Sequence, residues 1–283
     1  MALYRRTSNN YGGNDPYGRN TGGGFRGRSR GFKGRLLIGL ALVSFAVIKY
    51  CSSSQYNEIL GENQHISISV DQEIALGLQS APQMAQQYGG LHPDQRAQEY
   101  VDQVGNKLVN NTVARSTEYK YDFHLLADPK TVNAFALPGG QVFITAALFS
   151  RLETEDQLAG VLGHEVGHVV ARHGAERIAK QELTQGITGA AVIASGDYGT
   201  AQAAQMIAGL ISMKYGREQE LQSDDLGVRF MYQSGYDPNA LVGVMRILEE
   251  ASGGQRQPEF FSTHPSPENR VERIQEAIEK YGR

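Results

Sequence analysis

The sequence predicts an α+β fold, mostly helical, with a small β-sheet and one membrane helix near the N-terminus. Three observations lead there. Apolar residues recur at helical spacing behind capping signals through most of residues 70–280, two short stretches read as strands, and an uncharged apolar run follows a basic first segment. A chain of 283 residues with 40% hydrophobic content is long enough for one packed domain and additional segments. The net charge of −3 is unevenly spread: residues 1–35 carry eight Lys/Arg against Asp15 alone, about +7, which leaves about −10 for the remainder. Cys51 is the single cysteine, so no intrachain disulfide can form.

Residues 1–34 are rich in Gly, Arg, Asn and Ser without apolar periodicity. They bury too little to offset chain entropy and are expected to be a disordered basic tail. The pairs Arg26-Gly27 and Arg30-Gly31 beside Phe25 and Phe32 are similar to nucleic-acid-binding tails. The adjoining apolar segment explains the charge as its basic flank, so a nucleic-acid partner is not expected. Leu36 to Ile48 holds no charge. Taken as 35–51, with Lys33, Arg35 and Lys49 reaching toward headgroups, it approaches the minimum length of a bilayer span. A cleaved signal peptide would need a small-residue cleavage site, and Lys49-Tyr50 stand where lipidation of Cys51 would want small residues. The reading is a single-pass signal-anchor, with the tail cytoplasmic and everything after residue 51 on the non-cytoplasmic, periplasmic or equivalent, side.

Residues 52–69 are polar and read as a linker to a domain over 70–283. Ser69 with Gln72 makes a capping box before Ile74, Leu78 and Met84, and Pro93 opens a second helix carrying Tyr100, Val101, Val104 and Leu108. Tyr119 to Leu125 alternates as a strand, Pro138-Gly139-Gly140 is a turn, and Gln141 to Thr145 is a second strand. Thr154 with Gln157 caps a helix striped by Leu158, Val161, Leu162, Val166 and Val169, which Gly174 can end. Gly186 to Gly196 is apolar but too short to span a bilayer alone. A long helix from about Ala201 to Ser234, stopped by Gly235, is followed by helices starting at Asp237-Pro238 and at Pro267 or Glu268.

The chemistry sits in His164-Glu165-Val166-Gly167-His168, inside the helix capped by Thr154. Residues four apart on a helix differ by only about 40° in direction, so both imidazoles project from one face and can bind one zinc ion. Glu165 stands one step round, where its carboxylate can take a proton from a water at the metal and pass it to a leaving amine. Catalytic zinc needs three protein ligands and an open position. His173, about 140° off that face, is a poor third ligand. A carboxylate from another helix is the common alternative, and the run Arg217 to Asp224 supplies one: Glu220 can ligate while Asp224, four residues on, orients a ligand histidine through its other nitrogen. Ser223 and Gly227 are small enough to let that helix pack closely.

Over residues 70–280 the sequence resembles the HtpX/CAAX-prenyl-protease type of zinc metallopeptidase, metallopeptidase family forty-eight, of gluzincin type. The resemblance rests on Asn133 to Gly140, the His164 to His168 motif, the Arg217 to Asp224 run and Thr263-His264-Pro265. It implies one zinc per chain on His164, His168 and Glu220, with Glu165 as base and Asp224 as the supporting acid. It also implies that His264 lies near the metal, either stabilising an oxyanion or capping zinc in a resting state, with Arg270 a weaker candidate for the same neighbourhood. The stretch from Gly139 to Ile144 resembles the edge strand on which such enzymes lay substrate, which implicates Asn133, Gly139, Gly140, Gln141 and Val142 in substrate binding. The single span sets the chain apart from polytopic members and brings it closer to the envelope branch. The Gly/Ala-rich region from Glu182 to Tyr215 reads as a mobile lid or as an ordinary packed helix pair. Expected partners are unfolded or misfolded envelope or membrane polypeptides and the membrane itself. The rival reading is a chaperone-like binder of unfolded chains with weak or regulated proteolysis.

Overall fold

The structure, a computed structural model, describes residues 29–195, 215–252 and 258–282. Helix α1 (Ser29–Ser52) contains a stretch, Lys33–Ser52, long and apolar enough to cross a membrane. It starts inside the segment read as tail. A helix nucleated on the apolar run extends backward through Arg35, Lys33 and Arg30, despite Gly34 and Gly31 at about 1 kcal/mol each. Residues 1–28, and the expected disorder with them, lie outside the described residues.

The linker reading of 52–69 gives way to a hairpin, β1 (Ser54–Asn57) paired antiparallel with β2 (Glu62–His65). Side-chain amide hydrogen bonds tie its polar strands to the domain, and Ile59 and Leu60 at its turn pack on the core; the polar composition of the strands concealed it. Asn57 Nδ2 donates to Gln64 Oε1 at 2.8 Å, and buried Gln64 donates through Nε2 to the carbonyl of Ala171 at 2.8 Å.

The Ser69–Gln72 capping box forms in both directions at the start of α2 (Val70–Gln87). In α3 (Gln95–Asn110) the cap is Asp94, whose carboxylate accepts from the N–H groups of Arg96 and Ala97. Pro93 therefore stands just outside the helix rather than opening it. Strands β3 (Asp122–Leu126), β4 (Ala134–Ala136) and β5 (Gln141–Thr145) form one sheet in the order β3-β5-β4. Phe123 lies opposite Val142 in the parallel pair and Phe135 opposite Phe143 in the antiparallel pair.

That order corrects the expectation that Gly139 to Ile144 lies on an edge. β5 is the central strand, hydrogen-bonded on both sides, and the edges are β3 and β4. The turn at Pro138-Gly139-Gly140 folds the chain back so that Ala-Phe-Ala, too short to read as a strand, pairs with β5. Gly139 has φ +85, and a Cβ there would stand 2.4 Å from the Cα of Ile74. Thr145 N–H donates to Asn133 O and Leu137 N–H to Gln141 O, so by the alternation of an antiparallel ladder Ala134 and Ala136 turn their backbone groups away from β5.

After α4 (Ala146–Phe149), the chain enters α5 (Glu155–Val170), capped by Thr154 as expected and buried along nearly its whole length. Arg172, at φ +58, turns the chain at the end of α5, so Gly174 does not end that helix but lies in the first turn of α6 (His173–Ser195). α7 (Arg217–Gln233) begins after a non-helical Tyr215-Gly216 pair, so no single helix runs from Ala201 to Ser234. Residues 196–214, where the lid reading largely falls, lie outside the described residues. Gly235, at φ +75, ends α7 as the sequence predicts. α8 (Asn239–Ser252), the short α9 (Glu259–Thr263) and α10 (Arg270–Tyr281) complete the domain. Leu158, Leu162 and Val166 of α5 join Phe230, Leu241 and Ile274 in one core, which makes α5 a rigid platform for the motif it carries.

Candidate metal centre

α5 and α7 approach closely because neither puts bulk at the crossing. A Cβ on Gly167 would stand 3.0 Å from Ser223 O, and one on Gly227 3.2 Å from the backbone nitrogen of His164. The approach brings Glu220 beside the histidine pair. His164, His168, Glu220 and His264 each offer one ligand atom, all within 4.8 Å of one another and all buried. Nε2 of His168 lies 3.1 Å from Nε2 of His164 and 3.6 Å from Glu220 Oε1. His264, at the end of α9, places Nδ1 3.1 Å from Glu220 Oε1 and 3.4 Å from His164 Nε2.

Each α5 imidazole is fixed through its other nitrogen. His164 Nδ1 donates to Asp224 Oδ1 at 2.8 Å, and Arg270 grips the same carboxylate at 2.7 Å through Nε and at 2.9 Å through Nη2. Arg270 Nη1 also reaches to 3.3 Å from Glu220 Oε2. His168 is held by a relay. Gln222 donates through Nε2 to Glu62 of β2 at 2.8 Å, so its carbonyl oxygen accepts from His173 Nε2 at 2.9 Å. His173 Nδ1 then accepts from His168 Nδ1, also at 2.9 Å, and the lone pair of His168 is left on Nε2, facing the cluster. Burial lowers His173 to about 3 and pushes His168 well below its ordinary value, so both are neutral at pH 7.

Burial alone would raise Glu220, but His264, His164 and Arg270 hold it well below the usual carboxylate range, as an ionised ligand must be. Glu165 is raised by burial against the pull of His264 and His164, toward the range suited to a general base. Both oxygens of Glu165, Oε2 of Glu220 and Nε2 of His264 are buried without a hydrogen-bond partner. Such groups cost a few kcal/mol each unless a polar or cationic species meets them. Although burial lowers it, Asp224 and Glu220 raise His164 to about 9, so it ligates on losing its Nε2 proton; with neutral His168, ionised Glu220 and the His264 imidazole it forms a donor set that fits zinc.

The structure thus brings together His164, His168, Glu165, Glu220, Asp224 and His264, and sets Arg270 among them. It does not bring the substrate-strand residues to the cluster. Gly140 packs on Lys120, Gln141 hydrogen-bonds His124 at 2.9 Å and Val142 is in the core. Asn133 is buried, with Nδ2 donating to the hydroxyl of Tyr88 at 3.2 Å. Ala136 on the β4 edge and Asn133 do line, with Tyr215 and His264, a cavity of about 50 Å³ beside the metal ligands. The sequence reading misses two residues at the centre. Tyr215 stacks on His168 with ring centroids 3.7 Å apart, and no spacing signal marks it. His173 points away from the ligand face, but a buried histidine five residues after His168 is well placed to support a ligand.

Comparisons with known proteins fit this geometry. The family described as Peptidase family M48 matches residues 77–278. A Beta-barrel assembly-enhancing protease of Yersinia pestis is 33% identical over 226 residues, covering 75% of this chain and 45% of the relative. The Mitochondrial metalloendopeptidase OMA1 of Schizosaccharomyces pombe is 30% identical over 242 residues, covering 83% of this chain and 70% of the relative. The Escherichia coli (strain K12) Beta-barrel assembly-enhancing protease is 31% identical over 227 residues, covering 75% of this chain and 45% of the relative. The chain spans about half the length of these bacterial relatives.

Proposed function

The chain belongs to peptidase family M48 and is a metalloprotease, and from that premise we propose that it is a membrane-anchored zinc endopeptidase acting on unfolded or misfolded membrane or envelope polypeptides. The observation that carries the reading is the convergence of four buried ligand atoms from α5, α7 and the end of α9 next to a carboxylate, Glu165, with both oxygens unpartnered. His164, His168 and Glu220 would hold one zinc ion. When bound, zinc supplies Lewis acidity at the scissile carbonyl and acidifies water. Glu165 takes the proton from the attacking water and delivers it to the leaving amine. Asp224 with Arg270, and His173 with Gln222, keep the two ligand rings in the required tautomers. The outward backbone groups of Ala136, which lines the cavity, can pair with an extended substrate as an added strand, whereas Ala134 is fully buried. Recognition through backbone alone tolerates many sequences and requires an unfolded segment.

His264 serves in one of two ways. Nδ1 would cap the zinc in a resting state, or the ring, whose Nε2 lies 3.5 Å from Glu165 Oε1, would donate to an oxyanion. The basic first segment supports a catalytic domain on the non-cytoplasmic side by the positive-inside rule. Closure by a fully buried His264 over a cavity of about 50 Å³ favours proteolysis that is regulated, and a chaperone-like binding role is the second reading.

Digestion of casein by the full chain and by Glu165→Gln, with zinc assayed in both, tests the function. The variant is expected to keep about one zinc per chain and to lose at least about 100-fold in rate. Undiminished digestion would remove Glu165 as the base. A variant that suppresses aggregation of unfolded proteins as well as the parent does would support the second reading.

A further inference from the structure

α6 leaves the metal centre at His173 and runs antiparallel along α1. Lys49 Nζ meets Glu182 Oε2 at 2.8 Å, and four residues farther along α6 a Cβ on Gly186 would stand 2.7 Å from the Cβ of Ala46, three residues before Lys49 on α1. Continued in that register, α6 passes down the apolar length of the candidate span. Its chemistry changes at the same level. Glu176, Arg177, Lys180 and Glu182 precede the crossing, and from Leu183 to Ser195 no residue is charged. Ile187 is 41% exposed, and Leu42 and Phe45 of α1 are exposed as well. The outward hydroxyls of Thr184 and Thr188 donate to their own helix at the carbonyls of Lys180 (2.9 Å) and Thr184 (2.8 Å). Such back-bonding satisfies them without water.

We propose that the C-terminal half of α6 lies in the lipid bilayer beside α1, as a second membrane-embedded element. The inference rests on the reading of α1 as a span. The Lys49–Glu182 pair marks the membrane surface, where Tyr50 also sits as an interfacial aromatic. From Glu182 to Ser195 the helix advances about 20 Å into a hydrocarbon core about 30 Å thick. Without a hydrophobic force between helices in lipid, close packing of small residues such as Gly186 on Ala46 holds the pair together. His173 opens this same helix and is nine residues from Glu182, so the metal centre stands on the order of 15 Å above the membrane surface. Polypeptide segments emerging from the bilayer are then the substrates nearest to hand.

The protein contains no tryptophan, so single substitutions give a clean optical probe. Full-length Ile187→Trp is reconstituted into phosphatidylcholine/phosphatidylglycerol vesicles with and without acyl-chain-brominated lipid. Leu40→Trp on α1 serves as the embedded reference, and Leu78→Trp, on exposed α2, as the water-facing one. The expected result is blue-shifted emission for I187W and loss of about half or more of its fluorescence to bromine, as for L40W, with L78W unaffected. Quenched L40W with unquenched I187W overturns this inference alone, and unquenched L40W overturns the anchor reading with it.

Discussion

The molecule contains two helix pairs that touch through small residues and share little else. α5 and α7 meet at Gly167, Ser223 and Gly227 and enclose buried histidines, carboxylates and an arginine. α1 and α6 meet at Ala46 and Gly186, with an uncharged face turned outward. In the first pair close approach brings polar groups within bonding distance of one another inside a packed core. In the second it supplies the contact itself. The lesson is that a glycine at a helix crossing says only that backbones come close, and the surrounding side chains decide whether the crossing is a reaction centre or a membrane joint.

The largest expected effect comes from unbalancing the charges of the first pair. Arg270→Met leaves Asp224 and Glu220 buried without their cation and should cost about 3–5 kcal/mol in chemical denaturation of the domain. A cost near zero would mean that water reaches those carboxylates. Next is a matched test of the two crossings. Gly227→Val drives a side chain into the His164 backbone and should destabilise by about 1–3 kcal/mol while lowering zinc content. Gly186→Val should displace α6 from α1 yet leave zinc content unchanged, with domain stability altered by no more than about 0.5 kcal/mol. Equal zinc loss in both would erase the distinction drawn between the crossings. The smallest effect is expected for Lys49→Ala. Its pair with Glu182 is solvent-facing and should contribute only about 0–1 kcal/mol, read from the melting of the full chain in detergent.

Legibility in the sequence divides along similar lines. The α5 motif can be read because helical geometry alone places His164 and His168 on one face, and the Thr154 cap fixes the helix that carries them. Glu220 and Asp224 can be proposed for the same reason, four residues apart on one helix. The hairpin at 54–65 is not legible, since its strands are polar and side-chain amides tie them to the domain. Nor is the strand order. Ala134-Phe135-Ala136 is too short to announce itself, and only tertiary pairing puts β4 on an edge and β5 at the centre. The relay from Glu62 through Gln222 and His173 to His168 joins three distant segments, and no spacing in the chain foretells it.

The central claim is that His164, His168 and Glu220 converge on one zinc ion. Equilibrium dialysis of the full chain against zinc, with metal content counted per chain for the parent and for Glu220→Ala, tests it most directly. The parent should hold about one ion, and the variant should lose more affinity than the about 10–100-fold expected for loss of a supporting hydrogen-bond partner. A parent that stays metal-free in excess zinc, or a variant that binds as tightly as the parent, would contradict the account.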